Sequence, residues 1–319
     1  MELLSPYLEK IELEIVQLGF PETPENLYQP LSYFLNIGGK RIRPILTLIG
    51  AEMFDEITPE AVDVAVGIEL FHNFTLLHDD IMDNAPLRRN FQTVHEKWNT
   101  STAILSGDVL FVKAMEKILK GQSNQLSQLF LTTAKEVCEG QQMDMNFETQ
   151  LNVSISEYIE MIRLKTSVLL GCALQCGAII SGANEEDQEK LYQLGTNIGI
   201  AFQLQDDHLD TFGLSPKVGK SIGGDILSNK KTFLYLKALE LASESQKQQF
   251  EHLLSEHNPE IKIAQTVALF NELNVQHISQ EKIEFYFQKG ISYLNEIQLP
   301  EERKQALKAV IDFLYHRNF

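Results

Sequence analysis

Across most of its 319 residues the chain repeats apolar side chains at intervals of three and four, and nowhere sustains the alternation of a half-buried strand. That periodicity points to one class of fold. Residues 57–83, 101–120, 124–145, 154–181 and 185–212 each read as a long helix. A second set, 231–241, 245–255, 261–273 and 280–297, is shorter and more polar on one side. Thr58-Pro59-Glu60 has the order of a helix start, with Thr as the cap and Pro in the first turn. Breaks fall at 21–24, 38–39, 86–92, 213–224 and 299–300. With 44% hydrophobic residues, no tandem repeat and no low-complexity linker, the expectation is an all-α protein. It would be a single domain over residues 1–319, a large helical bundle with a polar C-terminal layer.

Charge narrows the partners. There are 27 basic and 44 acidic residues, a formal net charge of −17, so nucleic acid and anionic lipid are repelled. An anionic small ligand would need local clusters of Lys and Arg, or bound metal ions. Three cysteines make no disulfide framework, and Cys172 and Cys176, four apart in an apolar run, read as core. The N-terminus lacks the basic start and apolar run of a secretory signal. The most apolar stretch, 168–183, is interrupted by Gln175 and falls short of the ~20 residues of a membrane span. A cytoplasmic protein without a transmembrane segment is expected.

The most informative pattern occurs twice. Asp79-Asp80-Ile81-Met82-Asp83 ends one predicted helix, and Asp206-Asp207-His208-Leu209-Asp210 ends another. In each, the first and last Asp share a helical face. Like charges at that spacing destabilise a helix, and carboxylates are unfavourable at a C-terminus where the dipole is already negative. Bound cations would offset both penalties. An all-oxygen donor set favours a hard ion such as magnesium, which commonly bridges to substrate phosphates. Either cluster alone reads equally well as a solvated acidic face. Two of them, embedded in apolar sequence, make that reading weaker.

Cations recur beside them. Gly38-Gly39-Lys40-Arg41-Ile42-Arg43-Pro44 puts three on one turn, and Arg88 and Arg89 follow the first cluster, with His95 close behind. Lys165-Thr166 lies inside an apolar helix, where a charge needs a reason. Lys217, Lys220, Lys230 and Lys231 follow the second cluster. Any one could be an ordinary surface cation; the repeated order of acidic helix end and basic loop is the signal. Gly219-Lys220-Ser221 is not a Walker loop, because five residues rather than four separate Gly213 from Gly219 and no strand precedes it. A helical His-Asp phosphohydrolase built on His72, His78 and Asp79 would leave the second cluster without a role.

Together these residues resemble the trans-isoprenyl diphosphate synthase (polyprenyl synthetase) family, of the geranylgeranyl and farnesyl diphosphate synthase kind. The similarity runs from Gly38 to about Lys231 and includes Ser106-Gly107-Asp108, Gly140-Gln141 and Phe202-Gln203. It implies an all-α isoprenoid synthase bundle around a central cavity, working as a homodimer. The resemblance assigns magnesium to Asp79, Asp83 and Asp206, helped by Asp80, Asp207 and Asp210. Arg88, Lys165, Thr166, Gln203, Lys220 and Lys230 would grip an allylic diphosphate. Lys40, Arg43, His95 and Arg89 would hold isopentenyl diphosphate. Asn90 and Gln92 stand where the family usually has Gly and Pro, a departure in the loop rather than at a contact.

The implied reaction ionises the allylic diphosphate, with magnesium clamped between the aspartate clusters and Lys165, Lys220 and Arg88 adding fixed positive charge. The π-bond of isopentenyl diphosphate then attacks, and the released diphosphate takes the final proton. On the first helix Phe71 lies about 12 Å below Asp79 at a rise of ~1.5 Å per residue. Thr75 is small, and Phe74, further round the helix, enters as a floor through the family. A geranylgeranyl product follows, with farnesyl next, unless both Phe side chains merely pack in the core. Two alternatives compete: a terpene cyclase, which would leave Lys40, Arg43 and His95 idle, and a non-catalytic regulatory subunit, which would be expected to lose aspartates or basic contacts.

Overall fold

The structure, a computed structural model, describes residues 2–213 and 223–316. Its helices are α1 (Ser5–Gln17), α2 (Glu25–Asn36), α3 (Ile42–Glu52), α4 (Pro59–Met82), α5 (Val94–Lys97), α6 (Thr100–Ile118), α7 (Asn124–Thr149) and α8 (Ile155–Ile162). They continue as α9 (Val168–Ile180), α10 (Glu185–Phe212), α11 (Gly224–Leu227), α12 (Phe233–Leu241), α13 (Glu244–Leu254), α14 (Pro259–Glu272), α15 (Val275–Glu296) and α16 (Glu301–Tyr315). The all-α expectation holds, with one addition. A two-stranded antiparallel hairpin, β1 (Leu87–Arg88) and β2 (Phe91–Gln92), interrupts the helices, too short to leave an alternating pattern.

All the long predicted helices form, and Thr58 caps α4 by accepting a hydrogen bond from the Ala61 N–H. Helices α1 to α3 and α16 were not anticipated. α3 is buried from Pro44 to Ala51, so it has no polar face against which a period could show. The segment 154–181 is continuous but not uniform, because Arg163–Ser167 is a π-helical turn between α8 and α9. Helix Ile155–Ile180 is long and apolar enough to cross a membrane by composition, correcting the earlier length estimate; 72% of its apolar window is buried inside the protein, as in a core helix.

The chain divides into two compact units. The first comprises Met1–Thr132, Cys172–Tyr192 and Ile297–Ile311. Its centre is α4, buried on nearly every side through Val64, Ala65, Val66, Ile68, Leu70 and Phe71, against which α6 and α3 pack. Each such fully buried large side chain contributes roughly 1.5–3 kcal/mol. Cys172 and Cys176 are buried core residues here, as their apolar setting predicts. The second unit comprises Thr133–Gly171, Gln193–Glu296 and Asp312–Phe319. In it, α12 to α14 and the start of α15 enclose Leu234, Phe250, Leu253, Leu269, Phe270 and Val275.

Candidate active site

The nominated residues divide between the units. Lys40, Arg43, Phe71, Phe74, Thr75, Asp79, Asp80, Asp83, Arg88, Arg89 and His95 belong to the first, and Lys165, Thr166, Gln203, Asp206, Asp207, Asp210 and Lys230 to the second. Lys220 lies outside the described residues.

In the first unit, three local structures bring cations together. The turn before α3 ends at Arg41, in the left-handed region at φ 49° and ψ 34°. Lys40 is exposed on that turn, whereas Arg43 turns inward and its Nη1 lies 3.0 Å from His72 Nε2 on α4. Burial lowers the Arg43 pKa to about 10, opposed by Glu69. The hairpin supplies Arg88 and Arg89. Its turn residues, Arg89 (φ 50°) and Asn90 (φ 67°), are both left-handed, as a tight two-residue hairpin requires. Asn tolerates that region well, so the loop keeps its turn without the family's Gly. Gly39 lets Arg89 lie against the other turn: a Cβ there would sit 2.7 Å from Arg89 Nη1. Arg43 thus contacts His72, whose pKa falls well below its ordinary value, first through burial and then through the charges of Arg43, Arg89, Arg88 and Arg41.

The aspartates of this cluster are not equivalent. Asp80 is only 2% exposed, and both its oxygens accept from Arg88 Nε, at 2.9 and 2.8 Å. Burial raises its pKa and Arg88 opposes the rise. Asp83 is exposed at the α4 C-terminus, and Asp79 is partly exposed. His95 is nearly enclosed, with a side chain 8% exposed, and neither ring nitrogen has a hydrogen-bond partner; Glu96 Oε1 is 3.7 Å from Nε2. Arg43 Nε is likewise buried without a partner. Two turns down α4, Phe71 is fully buried among Phe74, Phe111 and Phe130, with ring centroids 5.6, 6.0 and 5.2 Å away. Thr75 Oγ1 donates to His72 O at 2.8 Å.

In the second unit the π-helical turn carries Lys165 and Thr166. A Cβ at Gly140 on α7 would come within 2.3 Å of Lys165 N, so that glycine permits the close crossing. Lys165 Nζ donates to Asp144 Oδ2 at 2.6 Å. Thr166 Oγ1 donates to Gln203 Oε1 at 3.3 Å, and Gln203 Nε2 to Asp207 Oδ1 at 3.2 Å. Tyr158 donates to the other oxygen of Asp207. Asp207 is 3% exposed, and its pKa is pushed up to about 7 by burial and then by Asp225, against Lys230, Tyr158 and Gln203. Asp210 Oδ2 accepts from the Asp225 N–H at 2.9 Å, and Lys230 Nζ lies 3.9 Å from Asp225 Oδ1.

The middle aspartate of each cluster thus has protein partners, Arg88 for Asp80, and Tyr158 and Gln203 for Asp207. Among the described residues no three His, Cys, Asp or Glu side chains gather closely enough to hold a metal unaided. The donor atoms that the two motifs offer are carboxylate oxygens alone, a set that suits a hard divalent cation. Glu69, Asp144 and Tyr158 were not singled out as functional from sequence, and His72 entered only through the phosphohydrolase reading. A charge at Lys165 within an apolar helix demanded a partner, but only the fold identifies it as Asp144.

The family model described as polyprenyl synthetase matches residues 24–270. The chain is 34% identical to a short chain isoprenyl diphosphate synthase of Methanothermobacter thermautotrophicus, over 99% of this chain and 98% of the relative. It is 36% identical to a geranylfarnesyl diphosphate synthase of Natronomonas pharaonis, over 93% and 92%. The crystal structure of a geranylgeranyl pyrophosphate synthase superposes with a TM-score of 0.91 at 42% identity, over 100% of this chain and 98% of that one. With both aspartate motifs, the Gly-Gly-Lys turn and the Lys165-Thr166 pair in place along a match of that extent, the chain belongs to the polyprenyl synthetase family.

Proposed function

We propose that this protein is a magnesium-dependent, chain-elongating trans-prenyltransferase that joins isopentenyl diphosphate to an allylic diphosphate, with geranylgeranyl diphosphate as its main product. The observation that most supports this is the cluster of Arg43, Arg88 and Arg89 beside the first aspartate motif. Three buried nitrogen atoms there, the Arg43 Nε donor and the two ring nitrogens of His95, have no hydrogen-bond partner within the protein. Unsatisfied buried donors are expensive in isolation and are expected where an anion completes them.

In this reading Lys40, Arg43, His95 and Arg89 hold the diphosphate of isopentenyl diphosphate. Arg88, Lys165, Thr166, Gln203, Lys220 and Lys230 hold the allylic diphosphate. Asp79, Asp83 and Asp206, with Asp210, offer carboxylate oxygens to magnesium, which when bound supplies positive charge to the leaving diphosphate. Asp80 and Asp207 act through neighbours, Asp80 by orienting Arg88 and Asp207 by joining Gln203 to Tyr158. The allylic C–O bond breaks, the isopentenyl double bond forms the new C–C bond, and the proton lost afterwards goes to the released diphosphate. Fixed cations and prior binding of both substrates favour ionisation and deny water access to the cation. In this reading residues 1–319 form a single catalytic domain. The enzyme is cytoplasmic and homodimeric in this reading.

Phe71 and Phe74 of α4, with Phe111 of α6 and Phe130 of α7, form a compact apolar stop in this reading, which suits a product of intermediate length. Purified protein with magnesium, labelled isopentenyl diphosphate and each allylic starter should give a C20 diphosphate, and Phe74→Ala should extend it. No incorporation of label with any starter would end the assignment; incorporation with unchanged lengths in Phe74→Ala would end only the aromatic stop.

A further inference from the structure

We propose that Glu69, held against Arg41, is a positioning residue that sets the arginine cluster of the first unit for the diphosphate of isopentenyl diphosphate. This rests on the function proposed above. Neither residue can touch a ligand: both are 3% exposed. Arg41 lies between Lys40 and Arg43 in sequence, yet its guanidinium points the other way. Its Nη1 donates to Glu69 Oε1 at 2.7 Å, its Nε to Glu12 Oε1 at 2.8 Å and its Nη2 to Leu35 O at 3.0 Å. All three nitrogens are thus engaged within the protein, as charge-assisted or carbonyl-directed bonds.

Two consequences follow from this placement. The first is geometric. Arg41 occupies a left-handed backbone position that residues with a Cβ rarely adopt, and it is the cap residue from which α3 begins. The three side-chain bonds hold that kink, and the kink leaves Lys40 exposed while Arg43 turns inward to His72. The second is electrostatic. Arg41 is buried, Arg43 and Arg88 are half-buried and Arg89 is exposed, and their like charges repel one another. Glu69 is a buried carboxylate that offsets this, since it favours the charged forms of Arg41, Arg43 and Arg89 alike, while Asp80 serves Arg88 and Arg89. Glu12 is a weaker counter-ion, with its side chain 42% exposed. Asn73 Nδ2 donates to Glu69 Oε1 at 2.9 Å and to Glu69 O at 2.8 Å, fixing the carboxylate in turn.

The test is steady-state kinetics on the full-length protein with magnesium, varying each substrate separately. Glu69→Gln keeps the shape and one acceptor but removes the charge. It should raise KM for isopentenyl diphosphate about tenfold or more while KM for the allylic substrate stays within about twofold. Replacing both residues, Arg41→Met with Glu69→Met, removes the pair without stranding a buried charge, and should show the same selective rise with a melting temperature near wild type. This second variant decides the matter if Glu69→Gln does not fold. Equal rises in both KM values, or a lower melting temperature with unchanged KM for isopentenyl diphosphate, would reduce the pair to a structural strut and overturn the inference. A wild-type protein that incorporates no isopentenyl diphosphate would instead overturn the reading beneath it.

Discussion

His72 is the residue whose ionisation most directly links the arginine cluster to stability. Folding keeps its imidazole neutral, because burial and the charges of four arginines disfavour a further charge, and Arg43 Nη1 lies within hydrogen-bonding distance of its Nε2. In the unfolded chain it takes a proton near its ordinary value of about 6.5. Below that value the unfolded state binds more protons, so stability present above about pH 6.5 is lost as pH falls, by up to about 1.4 kcal/mol per unit. Metal-free His72→Gln, which keeps an acceptor for Arg43, should therefore lose less melting temperature than wild type between about pH 7.5 and pH 5.5. Equal losses would show that His72 does not carry this part of the acid limb. The individual charges of the site were legible in the sequence, because an Asp or Lys in an apolar segment stands out by type. Their partners were not, since Tyr158 reaches Asp207 across 49 residues and Lys165 reaches Asp144 across 21.

At the scale of elements, the π-helical turn Arg163–Ser167 is what turns Lys165 towards Asp144 and Thr166 towards Gln203. Its extra residue per turn is accommodated by Ser167 Oγ, which donates to Ile162 O at 3.1 Å. Gly140 is the point where α7 presses on this turn. Gly140→Ala would place a methyl 2.3 Å from Lys165 N, and backbone cannot yield as a side-chain tip can. We expect a loss of about 1–3 kcal/mol by chemical denaturation and a rise in KM for the allylic substrate. Unchanged stability would mean that the two helices slide apart freely. The periodic pattern made 154–181 recognisable as helical but could not reveal the π-turn, because one inserted residue barely disturbs an apolar run. The hairpin was missed for the opposite reason: two residues per strand are too few to alternate.

Among the described residues of the whole molecule, two apolar stripes stand exposed. Leu105, Val112 and Leu119, along α6 and the turn after it, are 58%, 55% and 57% exposed at seven-residue intervals. On α7, Leu131 and Met145 are 45% and 39% exposed, with the exposed Cys138 midway at the same interval. A seven-residue apolar repeat is the spacing of helices that pack against partner helices. It supports the proposed homodimer, in which a chain with a net charge of −17 would associate through apolar contact rather than charge. Wild-type protein should sediment at twice the 36.3 kDa chain mass, and Leu105→Glu with Val112→Glu should shift it to the monomer. A variant that stays dimeric would place the interface elsewhere.

Helical content, the capped start at Thr58 and the two aspartate-bearing helix ends could all be read along the chain. Each depends on residues within a turn or two of one another, where backbone geometry alone decides which side chains share a face. Which aspartate is bound to Arg88 and which to Tyr158 depends on contacts between remote segments, as does the neutral state of His72. Burial and charge acting at a distance set those properties, and no spacing rule in one dimension encodes them.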